Sequence, residues 1–316
     1  MTRRLFIAAS LTATAGLLAG CGGSQHPIGA PASMSQFRTA HTQRNAASSG
    51  NAFLYIAKTG NDYGTLILSY PAGKQVNRIN RVFGPMCTDP NTGNVYIITE
   101  TTIREYAPGK KQPMALLTLG IGEPSGCAVD PMSGDLAVTV NETNVPPWIA
   151  IYSRLSSSPE KYVDRRAKEL TFCGFDSQGN LFADAYSKHR YSLAELPVGA
   201  SKFTKISLGL SDSAGPVQWD GTYITVENPI SDPKIYRIAV SGSKGTVVGT
   251  TKLGRRVGRY PAYSWIQGDT VIAPYGPSTK NGIVGYWHYP KGGHRPYKSL
   301  NSAGYAQYVL VSAAQN

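Results

Sequence analysis

The chain has 316 residues, of which 16% are charged and 41% are hydrophobic, and it contains 34 Gly and 21 Pro. The apolar content is sufficient for a core, and the 19 Tyr together with the many Gly and Pro favour short strands and tight turns over helices. This composition excludes a coiled coil, a protein with many membrane spans and a small disulfide-framework protein.

The N-terminus has the pattern of an export signal. Arg3 and Arg4 precede a mostly apolar stretch, Leu5 to Leu18, that is short for a membrane span. Leu18-Ala19-Gly20-Cys21 then resembles the bacterial lipobox, which implies acylation of Cys21 and cleavage before it. The alternative is an ordinary signal with a chance Cys, or an uncleaved anchor. We predict a signal peptide over 1–20 and an exported bacterial lipoprotein held to a membrane through Cys21.

Residues 21–50 have the composition of a flexible tether. Ser, Ala, Gln, Gly, Pro and Thr dominate the segment, which contains no acidic residue and two Arg. Gly22, rather than Asp, follows Cys21, and in a Gram-negative cell this resembles the pattern that sorts to the outer membrane. We therefore expect the protein in the outer membrane facing the periplasm, or at the cell surface, with its folded domain over 51–316.

Two sequence markers recur along 51–316 with one period. The first is a Gly and a polar residue followed by an apolar strand, as in Gly93-Asn94-Val95-Tyr96-Ile97; it occurs six times, about 44 residues apart. The second is Tyr-Pro-x-Gly or a degraded form of it, as in Tyr70-Pro71-Ala72-Gly73, with the same spacing. A period of about 40–45 residues is typical of a propeller blade with four strands. The sequence therefore predicts an all-β, six-bladed β-propeller.

The predicted ring closes through the two ends of the chain. Blade one begins at its second strand, because Gly50 already stands in the first marker. The segment Ser302 to Tyr308 resembles the inner-strand segment Pro124 to Asp130. We predict that this C-terminal strand is the missing inner strand of blade one, since closure removes exposed strand edges.

One stretch resembles a known family. Gly122 to Pro131, followed by Gly134 to Val138, resembles an NHL-type repeat, and the whole pattern resembles six-bladed propellers of the NHL, gluconolactonase-like (SMP-30) and virginiamycin-B-lyase-like kind. Gluconolactonase-like enzymes hold a divalent cation at the axis, but Ser125 stands here in place of their Asp, so no ligand is carried over. His189, His288 and His294 do not fall in the lyase pattern.

The function classes that this resemblance implies are an enzyme and a binding module, because the fold hosts both. We expect a binding or scaffolding module without catalytic residues, metal ligands or a cofactor. A metal-assisted lactonase or lyase with a divalent cation is the alternative.

Four polar residues follow the first marker at similar distances, in four blades, and predict a partial acidic and amide ring on one face. Such a ring would suit a cation or a polar ligand, although turns favour Asp and Asn whatever the function. Blades one and six interrupt the ring with Lys58 and Tyr275. The candidate ligand-binding residues are Glu100, Asn141, Asp184 and Glu227.

Three further cysteines, Cys87, Cys127 and Cys173, fall in predicted inner strands. An exported protein could oxidise one pair. Because inner strands of neighbouring blades splay apart and a bridge needs Cα atoms within about 7 Å, small buried thiols are the favoured interpretation.

The chain is basic, with a formal net charge of +12 that falls to +10 once Arg3 and Arg4 leave with the signal. This charge suits an anionic envelope polymer, a membrane surface or an acidic protein as partner, and the compartment argues against nucleic acid. We expect a monomer. The basic clusters are Lys161-Arg165-Arg166-Lys168, Lys188-His189-Arg190, Arg255-Arg256-Arg259 and Lys291-His294-Arg295-Lys298.

Overall fold

A computed structural model describes residues 52–60, 63–118, 122–187, 190–211, 215–229, 233–254, 263–275, 283–301 and 305–313. The predicted signal and tether lie outside these ranges. Within them the fold holds no helix of the length and hydrophobicity that a membrane span requires.

The described residues form 24 strands and one short 3-10 turn, Ser153–Leu155. In chain order the strands are β1 (Ala52–Thr59), β2 (Gly64–Ser69), β3 (Gln75–Asn80), β4 (Met86–Thr88), β5 (Val95–Ile98), β6 (Thr102–Tyr106), β7 (Ala115–Thr118), β8 (Glu123–Val129), β9 (Leu136–Glu142), β10 (Val145–Tyr152), β11 (Glu160–Val163), β12 (Glu169–Phe175), β13 (Leu181–Ser187), β14 (Arg190–Leu196), β15 (Thr204–Ile206), β16 (Val217–Trp219), β17 (Ile224–Asn228), β18 (Lys234–Ser241), β19 (Lys244–Lys252), β20 (Trp265–Gln267), β21 (Thr270–Tyr275), β22 (Ile283–His288), β23 (Lys298–Asn301) and β24 (Tyr305–Ala313).

These strands make six antiparallel sheets of four, and each sheet is one blade of a β-propeller. Blades two to six use consecutive strands: β4–β7, β8–β11, β12–β15, β16–β19 and β20–β23. Blade one has the order β24-β1-β2-β3, so its inner strand comes from the C-terminus. The predicted all-β, six-bladed fold and its closure are confirmed.

The closing strand lies further along the chain than the sequence comparison placed it. β24 pairs antiparallel with β1 from Thr59 opposite Tyr305 to Ala52 opposite Ala313. The predicted segment ended at Tyr308, but the apolar run continues through Val309 to Val311, and all three of these side chains are buried. A continuous buried run favours extending the strand rather than ending it.

Both sequence markers are turns that need a left-handed backbone. Gly93 and Gly134, between first and second strands, have φ of 74° and 78°. Gly73, between a third and a fourth strand, has φ of 82°. Because only Gly adopts this conformation without a steric cost, Gly recurs at most of these turns; blade three departs from the pattern, with Arg154 and Leu155 at positive φ between its third and fourth strands. This explains why the blade count is visible in the sequence.

The core of the described fold consists of six apolar clusters, one between each pair of neighbouring blades. The cluster between blades one and two, for example, contains the fully buried Tyr55, Ile67 and Ile97. Burial of each such side chain contributes about 1.5–3 kcal/mol. Each blade is therefore stabilised mainly through its two neighbours, which is why ring closure matters.

The strand order gives the propeller two distinct faces. The turns between first and second strands and between third and fourth strands lie on one face, here called the turn face. The hairpins between second and third strands, and the connections from blade to blade, lie on the other, here called the crossover face. The inner strands start at the crossover face and end at the turn face.

Candidate functional site

The inner strands of all six blades line a central cavity that opens at one face of the propeller. Its wall is mainly apolar, with Met86, Val217, Trp265 and Val309 among the lining side chains. Polar side chains are fewer and include Gln218, whose Oε1 accepts a hydrogen bond from the backbone N–H of Ile266 at 3.0 Å. A concave apolar cavity with few polar groups is typical of a binding site.

Four aromatic rings, here called the aromatic row, lie across the crossover-face mouth of this cavity. The ring centroids of Phe172 and Tyr263 are 4.5 Å apart, those of Tyr263 and Tyr308 are 4.9 Å apart, and Phe83 is 5.7 Å from Tyr308. Each ring comes from a different blade, close to the start of its inner strand. The backbone N–H of Tyr263 donates to the carbonyl of Gln307 at 2.8 Å, which fixes two of the rings together.

The two tyrosines of the aromatic row are the polar part of the mouth. Both side chains are partly exposed, and neither hydroxyl has a hydrogen-bond partner among the described residues. Burial raises the pKa of Tyr308 to about 12. Burial, and then the charges of Tyr308, Glu227 and Asp184, raise the pKa of Tyr263. Both phenols are therefore neutral at physiological pH, and each can donate one hydrogen bond.

Asp184, a candidate from the sequence, lies in β13 and is fully buried. Its Oδ1 accepts the backbone N–H of Phe172 at 2.7 Å and the hydroxyl of Thr171. Within the described residues, Oδ2 has no close hydrogen-bond partner. Burial raises the pKa of this carboxyl to about 7, and hydrogen bonds from Thr171 and Phe172 oppose the rise. The side chain holds the start of the inner strand that carries Phe172.

Glu227, the candidate in blade five, lies in β17 and is 1% exposed. Its Oε2 accepts the backbone N–H and the hydroxyl of Ser264, both at 2.9 Å. Ser264 directly precedes β20, so this carboxyl joins blade five to blade six. Burial raises the pKa of Glu227 to about 7, and the hydrogen bonds from Ser264 oppose the rise.

Asn141, the candidate in blade three, makes a similar connection to blade four. Its Oδ1 accepts the backbone N–H of Leu170 at 3.0 Å, and its Nδ2 donates to the carbonyl of Leu170 at 2.8 Å. Nδ2 also donates to Ser125 Oγ at 3.1 Å, and Ser125 donates to the same Leu170 carbonyl at 2.7 Å. Ser125 therefore takes part in a contact between blades three and four.

The structure thus brings Asp184 and Glu227 near Tyr263, places Asn141 between blades three and four, and leaves Glu100 apart. Glu100 is exposed just after β5. The other three lie within second strands and not after them, as the sequence had suggested. Lys58 is buried, and Tyr275 is partly buried at the end of β21. In the described part of the chain, no three His, Cys, Asp or Glu side chains gather closely enough to hold a metal ion.

One cysteine expectation is wrong. Cys87 and Cys127 form a disulfide with their Cα atoms 5.6 Å apart, although the sequence favoured thiols at all three positions. The two residues occupy equivalent register positions, opposite Tyr96 and Val138, in neighbouring inner strands. These strands converge at the axis instead of splaying apart, so the pair is close enough to bridge. Cys173 is a buried free thiol, and burial raises its pKa.

The described members of the basic clusters make separate contacts. Lys161 stands 4.9 Å above the ring of Trp148, and Arg166 pairs with Asp164 at 2.8 Å. Lys291, His294 and Arg295 are exposed, whereas Lys298 donates to the carbonyl of Pro71. Of the remaining basic residues, Lys188, His189, Arg255, Arg256 and Arg259 lie outside the described residues. Of the histidines, His288 stacks on the ring of Tyr297 with centroids 4.3 Å apart.

The fold and this mouth define a six-bladed β-propeller with an aromatic channel opening. The chain is similar to a propeller in a crystal structure of a nidogen/laminin complex, with a TM-score of 0.63 and 13% identity over 84% of this chain and 100% of the other. It is also similar to TolB from Acinetobacter baumannii, with a TM-score of 0.60 and 12% identity over 88% of this chain and 72% of the other. Neither a protein-family model nor a curated protein sequence matches the chain. At this level of identity the similarity establishes the fold alone.

Proposed function

We propose that this chain is a lipid-anchored binding module of the bacterial cell envelope, with an NHL-type propeller that takes a protein or an anionic envelope ligand at its crossover face. The lipobox-like segment ending at Cys21 supports the anchor. The Cys87–Cys127 disulfide supports export independently, because disulfides persist in oxidising compartments.

The aromatic row is the observation that carries the binding function. Tyr263 and Tyr308 offer large rigid rings with free hydroxyls at the centre of one face, beside Phe172. Aromatic residues with an apolar body and one polar tip dominate the energetics of protein interfaces. A fold of this class, solved in a complex between nidogen and laminin, also fits a protein partner.

The contacts between blades support the same function. Asn141 and Glu227 fix the starts of two inner strands, and Asp184 fixes the strand that carries Phe172. The mouth is therefore organised before a ligand arrives, which lowers the entropy lost on binding.

A lactonase or lyase acting at the crossover face is the second candidate. Asp184 and Glu227 favour it, because burial raises the pKa of both carboxyls to about 7, where a general acid or base is effective. Both side chains are nevertheless buried and bonded to backbone groups, so the observed geometry favours a supporting role over contact with a substrate.

Site-specific photo-cross-linking in the native cell tests the binding function. A photoreactive phenylalanine at Tyr308 should give a discrete adduct, since this ring lies at the mouth. The matched control is the same residue at Val145, which is 46% exposed on an outer hairpin of the same face and should give none. Equal adducts at both positions, or none at Tyr308, would contradict a partner at the channel mouth.

A further inference from the structure

The turn face carries an exposed basic side chain in every blade. In each case the residue lies at or next to the turn between the third and fourth strands, towards the outside of the ring. None of these side chains forms an ion pair or a cation–π contact within the described residues. The residues, here called the basic rim, are Lys74, Lys110, Lys111, Arg154, Lys202, Lys244 and Lys291.

Acidic residues on the same face lie nearer the axis and are engaged in their own turns. Asp89 accepts the hydroxyl of Thr92 at 2.6 Å, and Asp130 accepts that of Ser133 at 2.8 Å. Asp220 is bound by Arg237 at 2.6 Å. These carboxylates do not neutralise the basic rim by direct pairing.

The turn face also exposes apolar side chains at its tips. Met132, Val198 and Met114 are 72%, 67% and 61% exposed, and they are the most exposed large apolar residues of the described fold. They stand in turn-face segments of three consecutive blades, two, three and four. Isolated exposed apolar residues are ordinary, but exposed apolar residues beside a basic rim match the pattern of an interfacial membrane contact.

The chain joins the propeller on this same face. The carbonyl of Ala52, at the start of β1, accepts the backbone N–H of Tyr70 at 2.9 Å, beside the turn that holds Lys74. If residues 21–50 form the flexible tether that their composition predicts, these 30 residues span about 30 Å on average. If Cys21 is acylated, the turn face is therefore the part of the propeller nearest the bilayer.

We propose that the turn face docks on an anionic phospholipid bilayer, with the basic rim on lipid phosphates and Met114, Met132 and Val198 in the headgroup region. This deepens the proposed function and rests on it for the anchor. A hydrated polyanion would bind the basic rim but would leave Met114, Met132 and Val198 without an apolar partner. These exposed apolar side chains therefore favour a bilayer. Docking in this orientation directs the aromatic row away from the membrane, towards a partner.

Vesicle binding by the chain from Gly22 to Asn316 tests the docking without the anchor. This chain retains the fold, because all six sheets and all six clusters lie within 52–313. It should bind vesicles of phosphatidylcholine and phosphatidylglycerol (7:3) in low salt, and not vesicles of phosphatidylcholine alone. Each basic side chain near an anionic surface is worth about fivefold in binding. Neutralising Lys74, Lys110, Lys202 and Lys291 to Gln should therefore lower the partition coefficient several hundredfold.

A matched control neutralises four exposed basic residues near the crossover face: Arg81, Arg165, Arg166 and Lys168, each to Gln. It should bind almost as well as the parent chain. The apolar variant Met132→Gln/Val198→Gln should weaken vesicle binding and leave binding to soluble polyglutamate unchanged.

Three results would overturn the docking. They are equal losses in the rim and control variants, no binding to anionic vesicles in low salt, and an apolar variant that binds vesicles like the parent. The anchor is tested separately, by detergent partitioning of the full chain, so the two failures are distinguishable.

Discussion

Replacing Asp184 by Asn should make the stability of the propeller less dependent on pH. Burial raises the pKa of Asp184 from 3.8 to about 7. The folded state therefore holds a proton that the unfolded state releases near pH 4. This contribution to stability is complete below pH 4 and is lost as pH rises through about 7.

The size of the expected change in the free energy of unfolding follows from the difference between the folded and unfolded pKa values of Asp184. A difference of about three pKa units corresponds to about 4 kcal/mol, which is about 8 °C or more in Tm for a domain of this size. Asn keeps an oxygen that can accept the N–H of Phe172, and it stays neutral at all pH values. We therefore expect Asp184→Asn to match the parent near pH 4 and to exceed its stability at pH 8 by up to this amount.

Urea and thermal melts at fixed ionic strength between pH 4 and 8 measure how the stability of the parent and of Asp184→Asn depends on pH. Tyr191 and Cys173 face Asp184, but burial raises the pKa of both above this range. Glu227 titrates in the same range, so the double variant Asp184→Asn/Glu227→Gln should show the flattest profile. The exposed control Glu100→Gln should change stability by less than about 0.5 kcal/mol. Parallel pH profiles for the parent and Asp184→Asn would refute the reasoning.

Ending the chain at Asn301 removes β24 and exposes the edge of β1, so aggregation or loss of cooperative melting is expected; an unchanged Tm would contradict closure. Cys87→Ser/Cys127→Ser removes a bridge between residues 40 apart and should cost about 4 kcal/mol in urea unfolding, whereas reduction without effect on the parent would show that the pair is not bridged. Millimolar calcium, magnesium, manganese or zinc should not shift Tm. A metal bound at 100-fold excess over its Kd would stabilise the fold by about 2.7 kcal/mol, so binding would be visible. A shift in Tm that Glu100→Gln or Asp184→Asn abolishes would favour the enzyme.

The fold was predictable because the residues that mark its turns are local sequence signals. Gly93 and Gly134 mark turns whose positive φ demands Gly in successive blades. The unit of four strands and two such turns, which is one blade, then repeats at a nearly constant interval along the sequence. The missing strand of blade one could be placed at the C-terminus for the same reason, although its end at Ala313 depends on burial against neighbouring blades.

The site was less predictable because it depends on distances between blades. The sequence placed Asn141, Asp184 and Glu227 on one face, but the backbone groups that they bind are 12 to 37 residues away. The same reason explains the error at Cys87 and Cys127. The aromatic row went unrecognised, although Phe83, Phe172 and Tyr263 each lie near the start of an inner strand. An aromatic residue recurring at that point is the signal that would have found it.

The central claim, an envelope lipoprotein that presents a propeller, is tested most directly at Cys21. Detergent phase partitioning with intact mass measurement should place the parent in the detergent phase, with a mass that lacks residues 1–20 and includes acyl chains. Cys21→Ala should move to the aqueous phase or accumulate as the uncleaved precursor, because the acylation chemistry needs the thiol. Detergent partitioning that is unchanged in Cys21→Ala would contradict the account.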